Sequence, residues 1–174
     1  MRTALGIGVL VALFACSRAP AQGEDRGSVA IPGSNASASG GTAPAGSTAK
    51  VILEGATGPT SVTVEVVRSP GLVQKGLMYR KFLPADAGMI FLMGDEDDHH
   101  FWMKNTLIPL DIMFISADHT VVGVLENMQP LDTTSKGVGK PSVYVLEVNG
   151  GWAKAHGVGA GTKVRFDGVE AAAR

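Results

Sequence analysis

From residue 62 onward the apolar residues of this chain come in short, β-branched runs of about five to eight, most of them bounded by Gly, Pro, Asp or Asn. Such punctuation leaves no room for long helices. Val62-Thr63-Val64-Glu65-Val66 alternates with period two, the pattern of a half-buried strand. Further strands are expected over residues 89–93, 100–104, 112–116, 120–128, 142–148 and 163–169. Ser69-Pro70 supplies an N-cap followed by proline at the first helical position. Leu72, Val73, Leu77 and Met78 then mark the inner face of a short helix ending near Arg80. Ala117-Asp118-His119 reads as a hairpin turn, and residues 152–156 as a helical turn stopped by Gly157. About seven strands with two short helices point to a mainly β fold, an antiparallel β-sandwich or barrel-like domain over residues 61–170. A domain of about 110 residues buries roughly two thirds of its unfolded surface around one core.

The preceding residues have a different character. Arg2 and the apolar stretch 4–15 form the n- and h-regions of an export signal, too short to span a bilayer. The stretch ends in Leu13-Phe14-Ala15-Cys16, which is similar to the lipobox of bacterial lipoproteins, whose cysteine becomes the lipidated first residue. Cys16 is the single cysteine of the chain, so a structural disulfide is excluded. Residues 1–15 are therefore expected to be a signal peptide and Cys16 a lipid anchor holding the protein at the cell envelope, facing the periplasm. Ser17 stands where an Asp retains enterobacterial lipoproteins at the inner membrane, which favours the outer membrane. Residues 17–60, rich in Ser, Ala, Gly, Pro and Thr, read as a flexible tether. As a random coil it would reach on the order of 30 to 40 Å.

Four motifs carry a resemblance. Gly76-Leu77-Met78-Tyr79-Arg80, Gly88-Met89-Ile90-Phe91, the run Phe101-Trp102-Met103-Lys104-Asn105-Thr106 followed by Ile108-Pro109-Leu110-Asp111, and Tyr144-Val145-Leu146-Glu147 occur in this order. Together they resemble the signature of the DUF192 family (UPF0127), small bacterial and archaeal domains of unknown biochemical role. The resemblance covers residues 62–169 and implies a mainly β architecture without naming a reaction.

Net charge is −1 and the Lys and Arg residues are dispersed, which argues against nucleic-acid binding. No Gly-rich phosphate loop follows a strand, no cofactor is indicated, and no serine sits in a nucleophile elbow. His119 and His156 fall in turn regions without an evident carboxylate partner. Asp95-Glu96-Asp97-Asp98-His99-His100 has metal-binding residue types, but its acids are consecutive and its two histidines would point to opposite faces. A solvated loop is the expectation, with no metal. Met78, Met89, Met93, Met103 and Met113 would suit copper(I), yet their apolar segments make them core filler.

The candidate site lies around Trp102, Lys104, Asn105 and Asp111, polar groups set in an apolar segment, together with Arg80. Alternation along 100–104 puts Trp102 beside Lys104 on one face, with Phe101 and Met103 on the other. Two readings remain open here. In one, Lys104 pairs with Asp111 while Asn105 locks the loop, and Arg80 pairs with Glu147 or Asp111. In the other these groups converge without enough internal carboxylate and bind a small polar or anionic ligand, such as a carbohydrate or envelope component. A hydrolytic enzyme using Asp111 or Glu147, and a scaffolding lipoprotein, are the alternatives; the catalytic residues would be unknown.

Overall fold

The computed structural model describes residues 49–172. The expected signal peptide, Cys16 and the tether up to residue 48 lie outside them. The elements in chain order are β1 (Lys50–Gly55), β2 (Gly58–Val67), α1 (Pro70–Lys75), β3 (Ala87–Asp97), β4 (Leu110–Ile115), β5 (Val121–Met128), β6 (Ser142–Asn149), α2 (Trp152–Ala155), β7 (Val164–Asp167) and α3 (Val169–Ala172). The fold is mainly β, with helices of six residues at most.

All seven strands belong to one sheet in the order β5-β4-β6-β3-β2-β1-β7. Five of its pairs are antiparallel, but β2 and β3 run parallel, from Thr63↔Ala87 to Val67↔Phe91. The all-antiparallel expectation is corrected there: parallel neighbours need a long crossover, and α1 with the segment 76–86 supplies it. The sheet curls until its edge strands meet at one end. Thr120 bridges Lys163, and the Val121 and Val164 amides donate to Thr162 and His119 carbonyls at 2.9 and 2.8 Å. The barrel-like alternative therefore holds, as a partly closed single sheet and not two stacked ones.

Strand β1 corrects the domain boundary, which begins at least ten residues before position 61. Val51 and Leu53 are completely buried while Lys50 and Glu54 are exposed, the alternation of a strand with one face on the core. Gly55 is glycine because a Cβ there would lie 2.2 Å from the His156 carbonyl oxygen. Two further expectations are corrected. Residues 100–104 form no strand: only Phe101 pairs, with Lys136, and Met103 donates to the Asp132 carbonyl at 2.7 Å. Helix α1 stops at Lys75 because Gly76 turns the backbone to φ 45°, and Leu72 faces solvent instead of the core.

Apolar side chains pack on both faces of the sheet. One cluster, inside the curl, contains Val51, Leu53, Val62, Ile90, Met113, Leu146 and Val148. The other, outside it, contains Leu77, Met89, Phe91, Met103, Ile112, Phe114 and Val145, roofed by the segments after α1 and around 101–109. Central strands β3 and β4 are consequently buried on both faces, as with Met89 to Leu92 and all six residues of β4. Met89, Met103 and Met113 are buried within these clusters, and Met93 packs against the outer one. Asp95, Glu96 and Asp97 lie exposed on the projecting end of β3, and no cluster of three metal-ligating side chains occurs among the described residues.

Candidate functional site

The alternation of β4 and β6 separates the two carboxylates that an acid–base pair would need. Ile112 is paired with Glu147 and Asp111 with Val148, so Asp111 faces the inside of the curl and Glu147 the outside. Asp111 is fully buried and wholly employed. Its Oδ1 accepts the Asn127 and Gly151 amides at 2.7 and 3.0 Å, and its Oδ2 the Ala153 amide at 2.7 Å. It thus ties β4 to the end of β5 and to the first turn of α2. The expected Lys104–Asp111 pair does not form, because Lys104 sits on an exposed turn.

Arg80 is also engaged elsewhere. Its guanidinium forms a two-pronged ion pair with Glu65 on β2, Nη1 to Oε1 and Nη2 to Oε2, the latter at 2.6 Å. The Glu65 hydrogen bond, ahead of the opposing effect of partial burial, raises the arginine further above its ordinary value. Neither Glu147 nor Asp111 is its partner, and Arg80 does not line the groove described next.

Of the five residues read from the sequence, the structure brings together Trp102, Lys104 and Asn105. Two adjoining concavities of about 290 and 280 Å³ share Gln74, Lys75, Met78 and Trp102 as walls. Trp102 is 40% exposed, and the Lys104 Nζ lies 5.5 Å from its ring centroid, within cation–π range. Asn105 adopts the left-handed φ of 58°, its carbonyl accepts the Tyr79 amide at 2.8 Å, and its side-chain amide reaches Met78 Sδ at 3.9 Å. Tyr79 and Leu131 are left-handed as well, at φ 64° each, and Leu131 donates to the Thr106 carbonyl. Non-glycine residues in that region cost on the order of 1 kcal/mol each, so the three linked loops beside the groove hold a defined, strained shape.

Glu147 closes the inner concavity, which Thr106, His100 and Ser135 also line. It is 5% exposed, and its sheet neighbours on this face are Met89 and Ile112. Its Oε2 is one of two buried polar side-chain atoms without a partner among the described residues; the other, Ser142 Oγ, lines neither of these concavities. Burial pushes the carboxyl from 4.5 up to about 8, opposed only in part by the Leu77 amide and the Arg80 charge. At neutral pH it is a protonated acid. Gly76 lets the chain pass close above it: at φ 45° the position suits glycine, and a Cβ there would touch Oε2 at 3.4 Å. Of the remaining polar lining, His100 has its Nε2 3.4 Å from Asp98 Oδ2. Sequence reasoning missed Gln74, Lys75, His100 and Ser135 as groove residues, and nothing in their local pattern marks them. Glu147 did carry a signal, a carboxylate within the apolar run of β6.

A family model described as "Uncharacterized ACR" matches residues 51–166. This chain belongs to the DUF192 family. Two solved structures are similar to it. One, a protein of unknown function from Novosphingobium aromaticivorans, shares 40% identity with a TM-score of 0.65, over 67% of this chain and 83% of that one. The other, described as a proposed transcription regulator from Sinorhizobium meliloti, shares 36% identity with a TM-score of 0.66, over 69% and 94%. No curated protein matches the chain.

Proposed function

We propose that this DUF192 domain binds a small, hydroxyl-rich polar ligand, a carbohydrate or another small envelope component, in the groove walled by Trp102. The observation that carries the reading is the exposed indole standing between two concavities, one of them lined by the buried carboxyl-bearing Glu147. An aromatic face beside convergent polar groups is the usual composition of a small-ligand site. Lys75 and Lys104 at the rim favour ligands with negative charge. Arg80 and Asp111 belong to the framework.

Binding is preferred to hydrolysis because Glu147 is the sole carboxylate lining either part of the groove among the described residues, whereas glycoside hydrolysis generally uses two, about 5 to 10 Å apart. A net charge of −1 likewise gives little support to a nucleic-acid role of the sort suggested for the Sinorhizobium protein. Calorimetric titration of the purified protein with a panel of neutral and acidic sugars tests the reading. Trp102→Ala should abolish any binding found while leaving the fold intact, and a panel without a single binder would refute it.

We further propose that the domain is an envelope lipoprotein, tethered to the membrane through Cys16 and facing the periplasm, more in keeping with the outer than the inner membrane. The support is the Leu13-Phe14-Ala15-Cys16 sequence and the absence of a second cysteine. Replacement Cys16→Ser should end fatty-acid labelling and free the protein from washed membranes. A variant still labelled and still sedimenting with lipid would overturn the anchor.

A further inference from the structure

We infer that Glu147 recognises its ligand as a hydrogen-bond donor, its carboxyl O–H donating to an sp² oxygen, so that the occupant of the groove carries an acetamido carbonyl or a carboxylate beside its hydroxyls. The inference rests on the groove being a binding site, as proposed above. Its geometric basis is the placing of Glu147 in the lining of the groove's inner end, between Met89 and Ile112 on the sheet and beneath the glycine turn at Gly76.

The charges around the acid select an acceptor over an amine. Helix α1 presents Lys75, the turn after it Arg80, whose guanidinium is held by Glu65 of β2, and the segment leading to Trp102 contributes His100, which is paired with Asp98. From residues 129–139 the groove receives Ser135, while neighbouring Lys136 is tied to Asp132 at 2.9 Å. Among the described residues no carboxylate other than Glu147 lines the groove, so an ammonium ligand would pass two lysines to reach a single acid that its surroundings keep uncharged. An acceptor oxygen meets no such opposition. Because burial holds the carboxyl at about 8, the donor proton is present at neutral pH and is withdrawn above it.

The test is titration of the full protein with N-acetylglucosamine, glucuronate, glucose and glucosamine between pH 6 and 9.5. N-acetylglucosamine or glucuronate should bind about tenfold more tightly than glucose, and which of the two wins tells acetamido from carboxylate recognition. Affinity should fall by up to tenfold per pH unit above the carboxyl's titration point. Glu147→Gln, whose amide keeps an N–H donor in place, should bind nearly as well at pH 6 and show a flat profile to pH 9.5; Glu147→Leu should lose the preference for acceptors. Tightest binding of glucosamine with affinity rising with pH, or wild-type binding indifferent to pH, overturns the inference. Glucose binding as tightly as the acceptor sugars, yet lost in Trp102→Ala, would remove the role of Glu147 and keep the groove. If none of the four sugars binds, the groove reading and this inference fail together.

Discussion

Replacing Asp111 by Asn changes one oxygen to an NH2 group and almost nothing in shape, yet it should destabilise the domain severely. If the amide oxygen takes the Oδ1 position it keeps the Asn127 and Gly151 amides, leaving its NH2 group against the Ala153 N–H that Oδ2 now accepts at 2.7 Å. One buried donor is stranded, at about 1–3 kcal/mol, and the two surviving bonds lose their charge assistance, at about 1 kcal/mol more. Flipping the amide is worse, because it strands two donors. The expected loss is roughly 3 kcal/mol. For a domain of this size that corresponds to a fall in Tm of about 10 to 15 °C. Thermal unfolding followed by circular dichroism, with urea denaturation to give the free energy, measures it. A fall under about 4 °C would refute the assignment of Asp111 to the framework, since no surface or ligand-facing carboxylate should cost as much as the three amides imply.

Lys104→Met should change stability by less than about 1 kcal/mol, because the lysine is exposed and lacks an ion-pair partner among the described residues, and should weaken binding of acidic sugars more than of neutral ones; urea melts and calorimetry separate the two effects. Glu147 has a folded pKa of about 8 against 4.5 unfolded, so the folded state holds the extra proton between those values. Stability should therefore be full below about pH 4.5 and fall as pH rises toward 8, by at most about 1.4 kcal/mol per unit, and urea melts of Glu147→Gln should lack that slope. A chain starting at Ala49 should keep the melting point of the longer protein, whereas one starting at Ser61 should fail to fold, since it loses completely buried Val51 and Leu53, about 1.5–3 kcal/mol each, and the strand that joins β2 to β7.

Strand β2 is legible from its alternation and β4, β5 and β6 from short apolar, β-branched runs bounded by turn residues, and the hairpin at Ala117-Asp118-His119 because such residues tolerate the positive φ that His119 adopts. Strand β1 was hidden by its setting. Its Val51 and Leu53 alternate correctly, but Gly55, Gly58 and Pro59 continue the composition of the linker before them. Parallel pairing of β2 with β3 has no local signature, since both strands read alike in either direction. The same limit governs the site. Trp102, Lys104 and Asn105 lie within four residues and could be grouped by eye, whereas uniting them with Lys75, Ser135 and Glu147 depends on packing across the sheet. Which face Asp111 and Glu147 take follows from strand register, and register is fixed by pairs such as Ile112↔Glu147 that no local pattern reveals.

Burial of the central strands on both faces has a consequence for how the chain is made. β1 pairs with β7 from Lys50↔Asp167, and β3 with β6 from Gly88↔Val148, so the sheet is incomplete until residues more than a hundred positions apart have met. Folds dominated by such distant pairings form in milliseconds to seconds, and meanwhile the Met89 to Met93 stretch of β3 is a bare, uncharged β-forming segment of the kind that stacks with copies of itself. It is followed at once by Gly94, Asp95, Glu96, Asp97 and Asp98. Four consecutive acids that line neither concavity beside Trp102 suit a gatekeeper: their mutual repulsion keeps unfinished chains apart until β6 arrives to cover the strand.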